Sequence, residues 1–148
     1  MPSANYLFRL MAIALKRHRT SIAEQKDALE KEGLTLLDWA ILRSLFENPA
    51  GSQAEVARAI GKAPSNVRAP IEILEIKMLV QREADLVDRR HNVTYLSLNG
   101  ELLVKKLLPT MEASEKALME RLSADEQREL ERLLKKCLPQ DNNNPVKQ

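Results

Sequence analysis

The chain has 148 residues, a length that fits one domain or one protomer of an interlocked dimer. Its 23 Lys and Arg stand against 21 Asp and Glu, a net charge of +2, which excludes a dedicated polybasic binder; any contact with nucleic acid must come from local placement of cations. Hydrophobic residues make up 44% and aromatics only 3%, so the core is aliphatic, and scarce glycine among many helix formers predicts a mainly α fold.

Tyr6 to Arg19 places Leu7, Leu10, Met11, Ala14 and Leu15 at helical spacing. Arg9, Lys16, Arg17 and Arg19 lie between them, unlike a signal peptide, and no apolar run approaches the roughly 18 residues that cross a bilayer. A cytoplasmic protein is expected. Ser21 to Glu32 continues as a more polar helix, and Gly33 is a natural stop. Thr35 reads as the cap of a third helix with Asp38 three residues on and Leu37, Ile41 and Leu45 as its stripe; Asn48 to Gly51 is a loop.

Ser52-Gln53-Ala54-Glu55 is a capping box, and its helix buries Val56, Ala57 and Ile60 and stops at Gly61. After a short turn, Ser65 to Lys77 reads as a second helix with Val67, Ile71 and Leu74 inward. Leu79 to Ala84 and Asn92 to Leu98 read as strands, the latter with Leu96 and Leu98 on one face, joined by the charged segment Asp85 to His91. A helix is expected from Glu101, with Pro109 interrupting it near its start or marking a bend. Ser123 to Glu126 is another capping box and opens a last helix with Leu130, Leu133, Leu134 and Cys137 on one side; the tail from Gln140 is polar and Asn-rich, expected to be disordered. With one cysteine, an intrachain disulfide is excluded, and Cys137 reads as a small buried hydrophobe at a dimer contact.

Helix, turn, helix and charged hairpin in that order are the plan of a winged helix-turn-helix. In such a plan Ser65, Asn66 and Arg68 meet base edges and phosphates: Arg pairs with guanine, Asn with adenine, and Ser mostly holds phosphate. Gln53, with the capping-box N–H groups, is placed to hold a phosphate. Arg82 and His91 are candidate backbone contacts, and Arg89 and Arg90 at the hairpin tip suit a narrow minor groove. Residues 52–95 carry seven basic and six acidic side chains, which predicts few phosphate contacts per lobe. There is no Gly-rich phosphate loop and no nucleophile elbow. His18 has no partner at metal spacing, so neither an enzyme nor a metal or cofactor site is expected.

From about Tyr6 to about Leu138 the chain resembles the MarR family of transcriptional regulators. The resemblance rests on Gly33 to Leu42, Ser52 to Ala57, Ser65 to Leu74, Leu79 to Arg82, Asp88-Arg89-Arg90 followed by Leu96-Ser97 and Gly100, and Leu122 to Glu126 followed by Leu130 and Leu133-Leu134. It implies a single domain over residues 1–148, with a winged-helix lobe at 35–100 and dimerisation helices at 5–32 and 101–139. It further implies a homodimeric DNA-binding regulator, more often a repressor, on a pseudo-palindromic operator. Arg90 would reach the minor groove with Asp88 orienting it. A small aromatic or anionic effector would meet Tyr6, Met11, His18, Arg19 and Trp39, although Trp39 also reads as core. Three positions depart from the pattern. Met78 stands where a glycine is usual before the first wing strand, Ser97 replaces a threonine, and Pro70 falls inside the recognition helix, where it either kinks the helix or leaves residues 65–69 irregular. These departures and the small net charge leave open a protein-interaction or small-molecule-binding module that binds DNA weakly.

Overall fold

Capping boxes set three helix starts in the computed structural model, which describes residues 3–20, 23–84, 86–87 and 92–137; the side chains of residues 17–20, 114 and 118 lie outside that description. At α3 (Leu36–Glu47), Thr35 Oγ1 accepts from Asp38 N at 3.1 Å and Asp38 Oδ2 accepts from Thr35 N at 2.8 Å. Ser52 and Glu55 repeat the exchange at α4 (Gln53–Ala59), at 3.2 and 2.7 Å. Ser123 and Glu126 repeat it at α7 (Ala124–Cys137), at 3.3 and 2.7 Å. Each box satisfies two backbone donors that a helix start leaves open.

Three helices also end alike. α2 (Ala23–Lys31), α4 and α5 (Pro64–Ile76) each close on a left-handed residue: Gly33 at φ 67°, Gly61 at 68° and Met78 at 57°. The next amide reaches back into the last turn each time, Leu34 N to Leu29 O, Lys62 N to Ala57 O and Leu79 N to Leu74 O, all at 2.9 Å. These are Schellman caps. Met78 is the one side-chain-bearing residue held there, at the position where a glycine is usual.

The wing is a three-stranded antiparallel sheet of order β1-β3-β2, from β1 (Gly51–Ser52), β2 (Val80–Ala84) and β3 (Asn92–Leu96). Arg82 lies opposite Thr94 and Ser52 opposite Val93. The stretch read as a loop before Ser52 thus ends in a strand, which ties the start of α4 to the wing. Leu98 does not continue β3 as expected; it opens α6 (Leu98–Met119) and is 72% exposed. The cause is Ser97, whose Oγ accepts from Gly100 N at 3.0 Å and starts the helix there rather than at Glu101. Pro109 lies inside α6 without ending it.

Contacts divide the chain into two units. The lobe, Ala23–Met111, holds the buried apolar core: Ile41, Leu42 and Leu45 of α3, Val56 and Ala57 of α4, Val67, Ile71 and Leu74 of α5, and Val104 and Met111 of α6. Leu29 of α2 joins it, and Gln25 Nε2 donates to Met111 O at 2.8 Å. The second unit contains α1 (Ala4–Thr20), α6 from Glu112, and α7. None of the described residues of α7 is buried, and Leu7, Phe8, Leu10, Ile13 and Leu15 of α1 are exposed.

Candidate nucleic-acid interface

α4, the turn at Gly61 and α5 form the helix-turn-helix. Gln53 Nε2 donates to Pro64 O at 3.0 Å, so this side chain ties the start of one helix to the start of the other. The same start of α4 is already occupied by the Glu55 carboxylate. α5 begins with Pro64, which suits a first helical turn because its missing N–H would have no partner there; Ala63 supplies no side-chain cap. Ser65, Asn66 and Arg68 are all exposed on the first two turns. Arg68 Nε donates to Glu72 Oε1 at 3.2 Å, so its guanidinium lies along the helix.

Pro70 sits inside α5, and residues 65–69 are helical, so the irregular-turn alternative is excluded. The missing Pro70 N–H removes the intrahelical partner of the Asn66 carbonyl. Asn66 is exposed, and a carbonyl open to solvent can bond water instead.

The wing is fixed to the recognition helix at its base. Arg82 Nε donates to Glu75 Oε2 at 2.8 Å, and its Nη2 donates to the same oxygen. This pair joins β2 to the last turn of α5, where a carboxylate alone would oppose the helix dipole. Ser97 Oγ donates to Met78 O at 2.6 Å while accepting from Gly100 N, and Ser97 N donates to Leu79 O at 3.1 Å. These bonds require a hydroxyl, which serine supplies as threonine would. A Cβ on Gly100 would lie 2.0 Å from Leu79 O, so only glycine fits. On the wing face, Tyr95 Oη donates to Glu83 Oε1 at 2.5 Å, and this bond to a carboxylate, more than burial, raises the hydroxyl above its ordinary pKa. An open hollow of about 500 Å³ lies beside the wing base, lined in part by Glu75, Met78, Arg82, Tyr95 and Leu98.

Asp88, Arg89, Arg90 and His91 lie outside the described residues, as do the side chains of His18 and Arg19. Tyr6 and Met11 are about half exposed on α1, whereas Trp39, at 6%, belongs to the lobe core. Cys137, expected as a small hydrophobe buried at a dimer contact, is exposed in the single chain. Arg58 and Lys62 beside the helix-turn-helix turn are exposed and pair with no described residue; the sequence reading did not single them out, although their place next to Gly61 was the available signal. Among the described residues no His, Cys, Asp and Glu cluster suits a metal, and no helix is long and apolar enough to cross a membrane.

Residues 34–75 match the family model for winged helix-turn-helix DNA-binding domains. The chain is 33% identical over 113 residues to the HTH-type transcriptional repressor Rv2887 of Mycobacterium tuberculosis, covering 76% of this chain and 81% of the relative. Its fold is similar to that of Bordetella bronchiseptica BpsR, whose DNA binding is regulated by 6-hydroxynicotinic acid (TM-score 0.70, 26% identity, 88% of this chain and 97% of the other). It is also similar in fold to a MarR-family regulator from Silicibacter pomeroyi (TM-score 0.79, 22% identity, 95% and 93%). With the helix-turn-helix, the wing and the repressor relative in agreement, the chain belongs to the MarR family of winged helix-turn-helix DNA-binding transcriptional regulators.

Proposed function

We propose that the protein works as a homodimeric repressor in the cytoplasm. Two recognition helices would enter the major groove at half-sites about one helical turn apart on a pseudo-palindromic operator. Ser65, Asn66 and Arg68 would make the first contacts, with Gln53 and Arg82 holding the elements that present them. Arg90, oriented by Asp88 and flanked by Arg89, would enter the minor groove.

The observation that carries the dimer is the uncovered apolar surface of α1 and α7. Phe8 is 72% exposed and Leu15 60%, and Leu133 and Leu134 are each nearly half exposed. Isolated helices of this length are marginal in water, so these faces need a partner, and a second copy supplies the same faces.

A small aromatic or anionic effector would release the DNA by favouring a dimer whose lobe spacing mismatches the operator. The regulation of BpsR by 6-hydroxynicotinic acid supports that chemistry. Tyr6, Met11, His18 and Arg19 of α1 would contact it, while Trp39 serves the lobe core.

The test is fluorescence anisotropy with promoter DNA from beside the protein's own gene and with random duplex, each at two salt concentrations, alongside light scattering for the mass in solution. A dimer that prefers the promoter duplex, loses affinity with salt and is weakened by Arg90→Ala is expected. Equal weak binding to both duplexes overturns the repressor reading in favour of an interaction module.

A further inference from the structure

The recognition helix shows solvent an apolar face where base edges are read. Val67, Ile71 and Leu74 are 0%, 1% and 0% exposed and fix the inward direction of α5. At 100° per residue the opposite line runs through Ser65, Ala69 and Ile76, with Ile73 beside it. Ala69 is exposed, Ile73 is 49% exposed and Ile76 is 81% exposed. Isoleucine is a poorer helix former than Lys or Glu at a surface position, so propensity does not explain these residues. A single exposed isoleucine needs no explanation; two on the outward side of a recognition helix, Ile76 on its line and Ile73 at one edge with Glu72 at the other, do.

The charges of the same helix point the same way. Arg68 is held by Glu72 and Glu75 is held by Arg82, so the flank toward β2 carries paired charges. Bidentate pairing of Arg68 with guanine would first have to break its bond to Glu72. What the outward line offers a major groove is methyl surface. There the distinguishing apolar feature of a base pair is the C5-methyl of thymine, which apolar side chains contact. Ser65 to Ile76 spans about 16 Å of helix axis, roughly five base-pair steps at 3.4 Å each.

We propose that Ala69, Ile73 and Ile76 determine operator specificity by packing against thymine methyl groups in each half-site. This rests on the DNA-binding reading above and adds the base it discriminates. The stripe continues the face that carries Ser65, so duplex DNA rather than a protein is its occupant.

The experiment begins with a duplex recovered by in vitro selection with the full-length protein. Each thymidine of a half-site is then replaced by deoxyuridine, which removes the methyl and keeps the base pair. Removing a contacted methyl should weaken binding about fourfold, the value of one buried CH₂. In the Ile73→Ala/Ile76→Ala double variant the parent duplex should bind more weakly and the deoxyuridine penalty should vanish at the thymidines those two side chains contact, while a thymidine facing Ala69 keeps it. Both side chains are half exposed or more, so the variant should fold, which a far-UV spectrum and an unfolding midpoint check. The proposal is overturned if deoxyuridine costs nothing in the wild type, or if the penalty persists undiminished at every position in the double variant. It is also overturned if the double variant binds the parent duplex with unchanged affinity, which would turn the stripe toward a protein partner. In each of these cases specific, salt-sensitive binding to the parent duplex still stands. If selection recovers no duplex bound better than random DNA, the DNA-binding reading falls first and the proposal with it.

Discussion

Met78 should be a source of strain that glycine relieves. Its φ of 57° places a side chain in the left-handed region, which costs about 1–2 kcal/mol for a residue with a Cβ. Glycine brings back about 0.5–1 kcal/mol of extra freedom in the unfolded chain. The side chain is 68% exposed, so little packing is lost on removing it. Met78→Gly should therefore stabilise the protein by about 0.5–1 kcal/mol, which for this chain length is roughly 2 °C in Tm. Gly61 supplies the opposite experiment. It occupies the same position of the same cap at φ 68°, and a Cβ there would meet nothing within 4 Å. Gly61→Ala should cost about 0.5–1 kcal/mol from backbone conformation alone. Urea unfolding followed by far-UV circular dichroism reads both, at one fixed protein concentration because dimer dissociation couples to unfolding. If Gly61→Ala destabilises while Met78→Gly is neutral or worse, left-handed strain does not govern the Met78 cap. The methionine side chain would then be contributing through the hollow beside the wing.

Gly100→Ala should destabilise by about 2–3 kcal/mol or prevent folding, because its Cβ meets the Leu79 carbonyl rather than a side chain that can move; an unfolding midpoint within about 0.5 kcal/mol of wild type contradicts this packing. Pro70→Ala should stabilise by about 2 kcal/mol, the helix-interior cost of roughly 3 less what proline saves in the unfolded chain; an unchanged midpoint would mean that the Asn66 carbonyl loses nothing to proline. The carboxylate of Glu126 accepts from Ser123 N and is further stabilised by a hydrogen bond with the Ser123 side chain, and together these hold its pKa below the ordinary value. Its stabilising effect is present above the ordinary Glu range and lost as pH falls through the lowered value. Helicity of α7 should therefore decline on acidification, and Glu126→Gln should flatten that part of the circular dichroism titration.

Local signals carried most of the fold. The capping boxes at Thr35, Ser52 and Ser123 and the glycine stops at 33 and 61 are short-range chemistry, and they stand where the sequence puts them. Ser97 misled because Leu96 and Leu98 alternate as in a strand, and its cap partner is the amide of Gly100 rather than a Glu or Gln side chain. β1 was illegible because two residues become a strand only by pairing with Val93 and Thr94, some forty positions on. The candidate interface was legible as a segment but not as a surface. Periodicity marks Ile71, Ile73, Leu74 and Ile76 as apolar; only packing decides that Ile73 and Ile76 stay uncovered. The Arg68–Glu72 pair follows from i,i+4 spacing, whereas Arg82 meets Glu75 across the Met78 turn, a contact no spacing rule supplies.

These internal pairs bear on how strongly the protein responds to salt. Arg68 and Arg82 are engaged by carboxylates, and Lys77 Nζ donates to the Gly33 carbonyl. Of the lobe's described cations near the helix-turn-helix, Arg58 and Lys62 pair with no described residue. Counting Arg89 and Arg90 from the sequence alone, about four cations per lobe would be available to displace counterions. A dimer would then neutralise at most about eight phosphates, and log K should fall with log salt at a slope no steeper than about −7. Arg58→Ala and Lys62→Ala should each flatten the slope by about 2, because each lobe of the dimer then neutralises one phosphate fewer, and should do so on specific and random duplexes alike. Arg82→Ala should leave the slope nearly unchanged while weakening operator binding, because its removal loosens the wing base and frees no phosphate. A measured slope well beyond −7 would show that engaged cations leave their partners when DNA arrives, and one that falls by about 2 in Arg82→Ala would show that the Arg82 guanidinium leaves Glu75. In that last case the wing would be anchored in the complex by Ser97, Gly100 and the β1–β3 pairing.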